Sequence, residues 1–134
     1  MKININKIPP EGLTLEKVIN PAELDLDTNI VKFCEPIKIK AEVFRITNAI
    51  TLDVALNYGV CLNCSRCLDE FKVEHKKKLK LNYSASNSEP IIDLNPDIRD
   101  EIILDYPMQP LCRVDCKGLC VKCGRNLNEG KCNC

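Results

Sequence analysis

Ile37-Lys38-Ile39-Lys40-Ala41-Glu42-Val43-Phe44-Arg45-Ile46 places apolar residues at nearly every second position, as a half-buried β-strand does. Thr47-Asn48-Ala49 then supplies a turn, and Ile50-Thr51-Leu52-Asp53-Val54-Ala55-Leu56 alternates again. Two such runs on either side of a short polar turn predict an antiparallel β-hairpin. Working outward, Phe71-Lys72-Val73-Glu74-His75-Lys76-Lys77-Lys78-Leu79-Lys80-Leu81-Asn82-Tyr83 alternates cleanly at both ends and loses the pattern at the lysines. That predicts a long strand with a bulge near Lys76–Lys78. Upstream, Pro9-Pro10-Glu11-Gly12 and Asn20-Pro21 break the chain into loops and short elements. Ser84 to Pro90 reads as a polar loop.

One helix is signalled. Asn95 is placed to cap it, Pro96 suits the first helical position, and Asp97 suits the positive N-terminal end. Leu94, Ile98 and Ile102 share one face, Asp97, Asp100, Glu101 and Asp105 make the other side acidic, and Tyr106-Pro107 ends the helix. The expected fold is therefore α+β and mainly β. Antiparallel strands form a small sheet or half-open barrel, with one acidic helix near residues 96–106 and a cysteine-rich tail. The expected division is a body over 1–110 and a tail over 111–134.

The chain has 134 residues, no Trp and only three Phe and three Tyr, so its core must be aliphatic. No apolar run approaches the roughly 20 residues that span a bilayer. The first residues, Met1-Lys2-Ile3-Asn4-Ile5-Asn6, alternate where an export signal would be continuously apolar. A reducing cytosol, in which stable disulfides are unfavoured, is the expected compartment. Formal net charge is zero, which argues against a generic polybasic nucleic-acid binder.

Ten cysteines carry the strongest signal. Nine fall into Cys61-x2-Cys64-x2-Cys67, Cys112-x3-Cys116-x3-Cys120-x2-Cys123 and Cys132-x-Cys134. A CxxC turn points two sulfurs at one centre about 2.3 Å from each, and four such sulfurs close a tetrahedral zinc site. Gly124 lets the backbone turn tightly behind Cys123. The preferred pairing sets Cys64 and Cys67 with Cys112 and Cys116, docking the tail on the body. Cys120, Cys123, Cys132 and Cys134 then close the tail on itself. Cys61 could replace Cys64 or Cys67, the six tail cysteines could close one site alone, and spacing leaves an iron–sulfur cluster open. Each zinc held by four thiolates carries a charge of about −2. The tail has too few apolar residues to fold by burial and needs a cross-link. Structural zinc contributes on the order of 10 kcal/mol. Cys34 stands apart and reads as a buried apolar thiol.

An all-cysteine ligand set points to structure, whereas a catalytic zinc keeps an open position. His75 is the only histidine and reads as a surface residue in a charged strand, so no nucleophile triad can be assembled. No catalytic residue, small-molecule substrate or membrane is expected. The competing reading is a thiol redox protein using Cys64 and Cys67, although such motifs usually open a helix after a strand. Lys76, Lys77 and Lys78, with Arg113, Lys117, Lys122 and Arg125 around the tail, are the candidates for contact with phosphates or an acidic partner.

Cys64-Ser65-Arg66-Cys67-Leu68-x-x-Phe71 resembles the CxRCL motif of the YceD family, the large ribosomal RNA subunit accumulation proteins. Asp100-Glu101-Ile102-Ile103-Leu104-Asp105-Tyr106-Pro107 is similar to the family's acidic helix ending in proline. Leu111-Cys112, then Cys116-Lys117-Gly118-Leu119-Cys120-x-x-Cys123-Gly124-x-Asn126-Leu127-Asn128 and Cys132-x-Cys134, is very similar to its C-terminal segment. The motifs span residues 64–134; the N-terminal half agrees only in being β-rich. The resemblance implies a bacterial or plastid factor that supports synthesis, processing or stability of large-subunit rRNA, without enzymatic activity. The expected partners are that rRNA, a ribosomal protein, or both. Family genes commonly neighbour that of a small zinc-ribbon ribosomal protein. Cys34 and Cys61 lie outside the family motif, and the resemblance implies that they stay out of the metal sites.

Overall fold

The computed structural model describes residues 1–29, 31–85 and 89–134. Seven strands and one helix follow in chain order: β1 (Lys2–Asn4), β2 (Leu13–Ile19), β3 (Val31–Phe33), β4 (Ile37–Ile46), β5 (Ala49–Asn63), β6 (Glu70–Ser84), β7 (Ile91–Asp93) and α1 (Asn95–Leu104). The hairpin read from residues 37–56 is β4–β5, but β5 runs on to Asn63 and pairs along its whole length with β6. On its other side β5 meets β4 and then β3. β2 continues the sheet beyond β4. The sheet is antiparallel and open, with β6 at one edge. β1 and β7 pair separately, and β7 leads directly into α1. The polar loop expected over 84–90 lies in part outside the described residues.

Alternation sorts the strands into two faces. Ile37, Ile39, Ala41 and Val43 of β4 and Ile50, Leu52, Val54, Leu56, Val60 and Leu62 of β5 are buried on one face. Leu94, Ile98 and Ile102 of α1 join the same core, each fully shielded. The apolar stripe at spacing four is what docks the helix.

Three sequence expectations are corrected here. The β5–β6 register is unbroken from Ala49↔Ser84 to Asn63↔Glu70, so there is no bulge at the lysines. Alternation looked blurred because two inward positions of β6 are polar: His75 and Lys77 face the helix. Correspondingly, the acidic side of α1 is not simply solvated. Asp97, Glu101 and Asp105, spaced by four, turn to the sheet, and only Asp100 of the acidic set is fully exposed. Lys77 Nζ lies 2.9 Å from Glu101 and 3.6 Å from Asp105. His75 Nδ1 is 3.1 Å from Asp105, its ring is stacked on Tyr58, and its side chain is 25% exposed. Tyr58 donates to Asp105 at 2.9 Å, and Tyr83 donates to Asp97. Third, Asn95 does not cap the helix. It is the first helical residue, its N–H donates to Asp93 at 3.1 Å, and its own side chain accepts from the amino group of Met1.

Burial, then the adjacent carboxylates, raise the pKa of both Tyr58 and Tyr83 above the ordinary tyrosine value. A raised folded-state pKa favours the neutral phenol. The stabilisation is therefore complete below about pH 10 and is lost as pH climbs past that value. Denaturant midpoints are expected to fall above about pH 10. The double variant Tyr58→Phe/Tyr83→Phe should flatten that fall while losing about 1–3 kcal/mol per bond at neutral pH. An unaltered alkaline slope in the variant would refute the assignment.

Candidate metal centre

Two hairpin knuckles with the same backbone construction present the CxxC pairs. In the first, between β5 and β6, the N–H of Leu68 donates to the carbonyl of Cys64 at 3.0 Å. In the second, the N–H of Gly124 donates to the carbonyl of Cys120 at 2.9 Å. The residue after each second cysteine is left-handed, with φ of 63° at Leu68 and 73° at Gly124. Glycine fits that conformation freely and leucine does so at a cost of about 1–2 kcal/mol, so Gly124 showed the turn in the sequence and Leu68 concealed it.

The structure brings the sulfurs of Cys64, Cys67, Cys112 and Cys116 within 4.8 Å of one another. It does the same for Cys120, Cys123, Cys132 and Cys134. In the first group, Cys64 and Cys116 are 3.7 Å apart and Cys67 and Cys112 are 3.6 Å apart. In the second, Cys120 lies 3.9 Å from Cys134 and 3.3 Å from Cys132. Sulfurs at the corners of a tetrahedron with 2.3 Å metal–sulfur bonds stand about 3.8 Å apart, whereas a disulfide brings them to about 2.05 Å. The donor sets fit one soft divalent ion each. A cubane cluster, which binds one thiolate per iron, spreads its ligands more widely.

The groups differ in exposure. Cys64, Cys67 and Cys116 are 0–3% exposed, with Phe71 and Leu111 packed against them. Cys123 and Cys134 are exposed. Burial pushes the Cys64 thiol up, but backbone N–H groups around it outweigh that and bring it to about 6. N–H groups of Cys123 and Lys122 bring Cys120 to about 6 as well. The Asp69 N–H draws Cys67 down, but burial and the neighbouring sulfurs outweigh it and push it up to about 12, and Cys123 and Cys132 push Cys134 up to about 12.

Further residues tie the groups together. Arg66 Nη1 donates to the carbonyl of Cys116 at 3.0 Å. Asn128 Nδ2 donates to Cys116 Sγ at 3.3 Å while its Oδ1 accepts from the N–H of Lys117. Asn126 Nδ2 donates to Asp69 across the two knuckles at 2.6 Å. Gly118, at φ 77°, sits so close to Arg66 that a Cβ would lie 3.3 Å from its carbonyl oxygen. None of Arg66, Asn126 and Asn128 was singled out from the chemistry of the sequence, although each lies in a motif that carried the family resemblance.

Cys34 departs from expectation. It is exposed rather than buried, and it forms a disulfide with Cys61, with Cα atoms 5.8 Å apart. Of the candidate contact residues, Lys76 and Lys78 project from the sheet face opposite the helix, while Lys77 is engaged by Glu101 and Asp105. Arg113, Lys117, Lys122 and Arg125 are exposed around the tail, with Arg113 3.7 Å from Asp115. Among the described residues no helix is long and apolar enough to cross a membrane.

Residues 85–134 match the family model of the large ribosomal RNA subunit accumulation protein YceD. Over that segment the chain is similar to the YceD family. It is similar to a protein of Arabidopsis thaliana named large ribosomal RNA subunit accumulation protein YCED homolog 1, chloroplastic. The identity is 46% over 43 residues, covering 32% of this chain and 13% of that protein. An uncharacterized Mycobacterium leprae protein is 24% identical over 139 residues, covering 92% of this chain and 64% of that protein. An uncharacterized Bacillus subtilis protein is 19% identical over 81% of the chain and 70% of its own length. The chain thus spans less than two thirds of the Arabidopsis and Mycobacterium leprae relatives. No solved structure matches it. The matched segment holds α1 and every tail cysteine, while Cys64 and Cys67 lie outside it.

Proposed function

We propose that the chain is a non-enzymatic ribosome-biogenesis factor that supports synthesis, processing or stability of large-subunit rRNA. In this reading two structural zinc ions hold it together, one on Cys64, Cys67, Cys112 and Cys116, the other on Cys120, Cys123, Cys132 and Cys134. The body is residues 1–110, and the tail, 111–134, is a ribbon-like zinc unit docked through Cys64 and Cys67. The compartment is the cytoplasm, and the partner is the rRNA, a ribosomal protein, or both. The supporting observation is the YceD match over residues 85–134, the segment that carries both halves of the tail's cysteine set. Lys76, Lys78, Arg113, Lys117, Lys122 and Arg125 are the proposed contacts. Lys77 belongs to the same stretch but has Glu101 and Asp105 as its present partners.

One observation favours a second reading. Cys64 is brought down to about 6 while Cys67 is pushed up to about 12, the division of labour a CxxC redox pair uses. Against it, both thiols have a third sulfur within 3.7 Å. Metal analysis on anaerobically purified protein separates the two. About two zinc ions per chain, thiols released only by chelator, and binding to large-subunit rRNA or ribosomal proteins at moderate salt are expected. Metal-free protein with disulfide-reductase turnover would overturn the zinc reading. Zinc protein that bound neither rRNA nor ribosomal proteins would overturn the ribosomal one.

A further inference from the structure

The outer face of the main sheet, opposite α1, is open along its length. Strand register fixes its side chains in rows across β4, β5 and β6: Lys38–Asn57–Lys76, then Lys40–Ala55–Lys78. The β5 residues that form the floor are short, and the rims on either side are lysines. The next row, Glu42–Asp53–Lys80, bounds a hollow of about 410 Å³ that Lys40, Ala55 and Lys78 also line.

Three lysines on this face have carboxylate partners. Lys40 lies 4.0 Å from Glu16 and 3.9 Å from Glu42, Lys80 lies 3.9 Å from Asp53, and Lys72 pairs with Glu35. Lys38, Lys76 and Lys78 do not. Among the described residues no carboxylate oxygen comes within 4.0 Å of any of the three. Lys38 and Lys76 face each other across β5, about 9.6 Å apart at two strand spacings, and Lys76 and Lys78 are about 6.8 Å apart along β6. Neighbouring like charges on one sheet face cost stability, and an anion that lies between them removes the cost. That spacing along β6 is close to the repeat of phosphates along a nucleic-acid strand.

We propose that this lysine-rimmed trough, with Lys38, Lys76 and Lys78 at its corners, binds the sugar-phosphate backbone of RNA. The proposal rests on the ribosomal reading above and assigns its contact surface. Among the described residues Phe44 is the one aromatic ring on this face, and it lies three rows from Lys38, so the trough has no platform on which successive bases could stack. Contact is to phosphates, so affinity is independent of sequence and steeply dependent on salt. The chain has zero formal charge, and the trough sets Lys38, Lys76 and Lys78 beside Glu35, Glu42, Asp53 and Glu74.

The test uses full-length metal-loaded protein and a structured large-subunit rRNA fragment, with affinity followed by fluorescence anisotropy across a salt series. Lys38→Gln/Lys76→Gln/Lys78→Gln is expected to weaken binding at least tenfold near 0.1 M salt. The slope of log affinity against log salt should shrink by about 2 to 3. Replacement of the same three residues by Arg should retain binding, and unchanged metal content in both variants shows that the fold is intact. If the Gln variant kept its affinity and slope while Arg113→Gln/Lys122→Gln/Arg125→Gln lost both, the trough would be overturned and the ribosomal reading would stand. If the wild-type protein ignored RNA, or bound only an acidic polypeptide such as polyglutamate through these lysines, the trough would likewise be refuted. Wild-type binding to a ribosomal protein would then decide the wider reading.

Discussion

A Cys64→Ser chain is expected to purify with about one zinc ion in place of about two, and with its tail loose from the sheet. Cys64 is fully buried, its sulfur is 3.7 Å from Cys116, the knuckle it anchors sends Arg66 to donate to the carbonyl of Cys116, and Asp69 beside that knuckle accepts from Asn126 of the tail. A structural zinc site contributes on the order of 10 kcal/mol, and the tail has no apolar core to fall back on. Val114 and Val121 are 93% and 100% exposed. Hydrogen exchange should show protection lost across residues 111–118, while β4, β5 and β6 stay protected by their own core. Cys134→Ser should behave differently. Its sulfur is exposed, so loss of that site should free only the end of the chain, and in the wild type the same site should yield its metal to a chelator first. Retention of two metals with unchanged protection in Cys64→Ser would refute the docking role of this residue.

Ile98→Ala is expected to destabilise the body by about 2–5 kcal/mol, read as a shift in the denaturant midpoint. Ile98 is 0% exposed at the centre of the apolar stripe of α1, between Leu94 and Ile102. The cavity opens where helix and sheet meet, and the flanking contacts cannot collapse into it. They are hydrogen-bonded pairs, Tyr83 with Asp97 and Lys77 with Glu101, set at fixed heights on the strand. A loss below about 1 kcal/mol would mean that the polar contacts, and not the apolar stripe, hold the helix.

The hairpin and the helix were legible because each buries one face and leaves the other wet, so period two and period 3.6 survive in the sequence. The middle of β6 was not, because His75 and Lys77 occupy inward positions that elsewhere hold Val or Leu. Their partners, Glu101 and Asp105, are far along the chain. The bulge and the exposed acidic helix face were two consequences of that one unseen pairing. The short strands β1 and β3 each have three residues, too few for a pattern, and β1 pairs with β7 across nearly the whole body. The two sulfur groups were legible because a knuckle needs close spacing. Cys34 and Cys61, 27 residues apart, have no such signature. They meet only because β3 and β5 pair, with Cys61 directly opposite Lys32.

The first quartet joins residues 52 and 45 positions apart, Cys64 to Cys116 and Cys67 to Cys112, so a metal there closes a ring of chain around β6, β7 and α1. During synthesis the sheet strands β2 to β6 are complete long before Cys112 is made. A nascent chain at that stage offers only two of the four sulfurs. A product cut short before Cys112 can fold its sheet yet never closes the ring, and its Cys64–Cys67 knuckle stays open to oxidation or to a protease. A metal held by this quartet would tie the tail to the sheet only once residues 112–116 have been made.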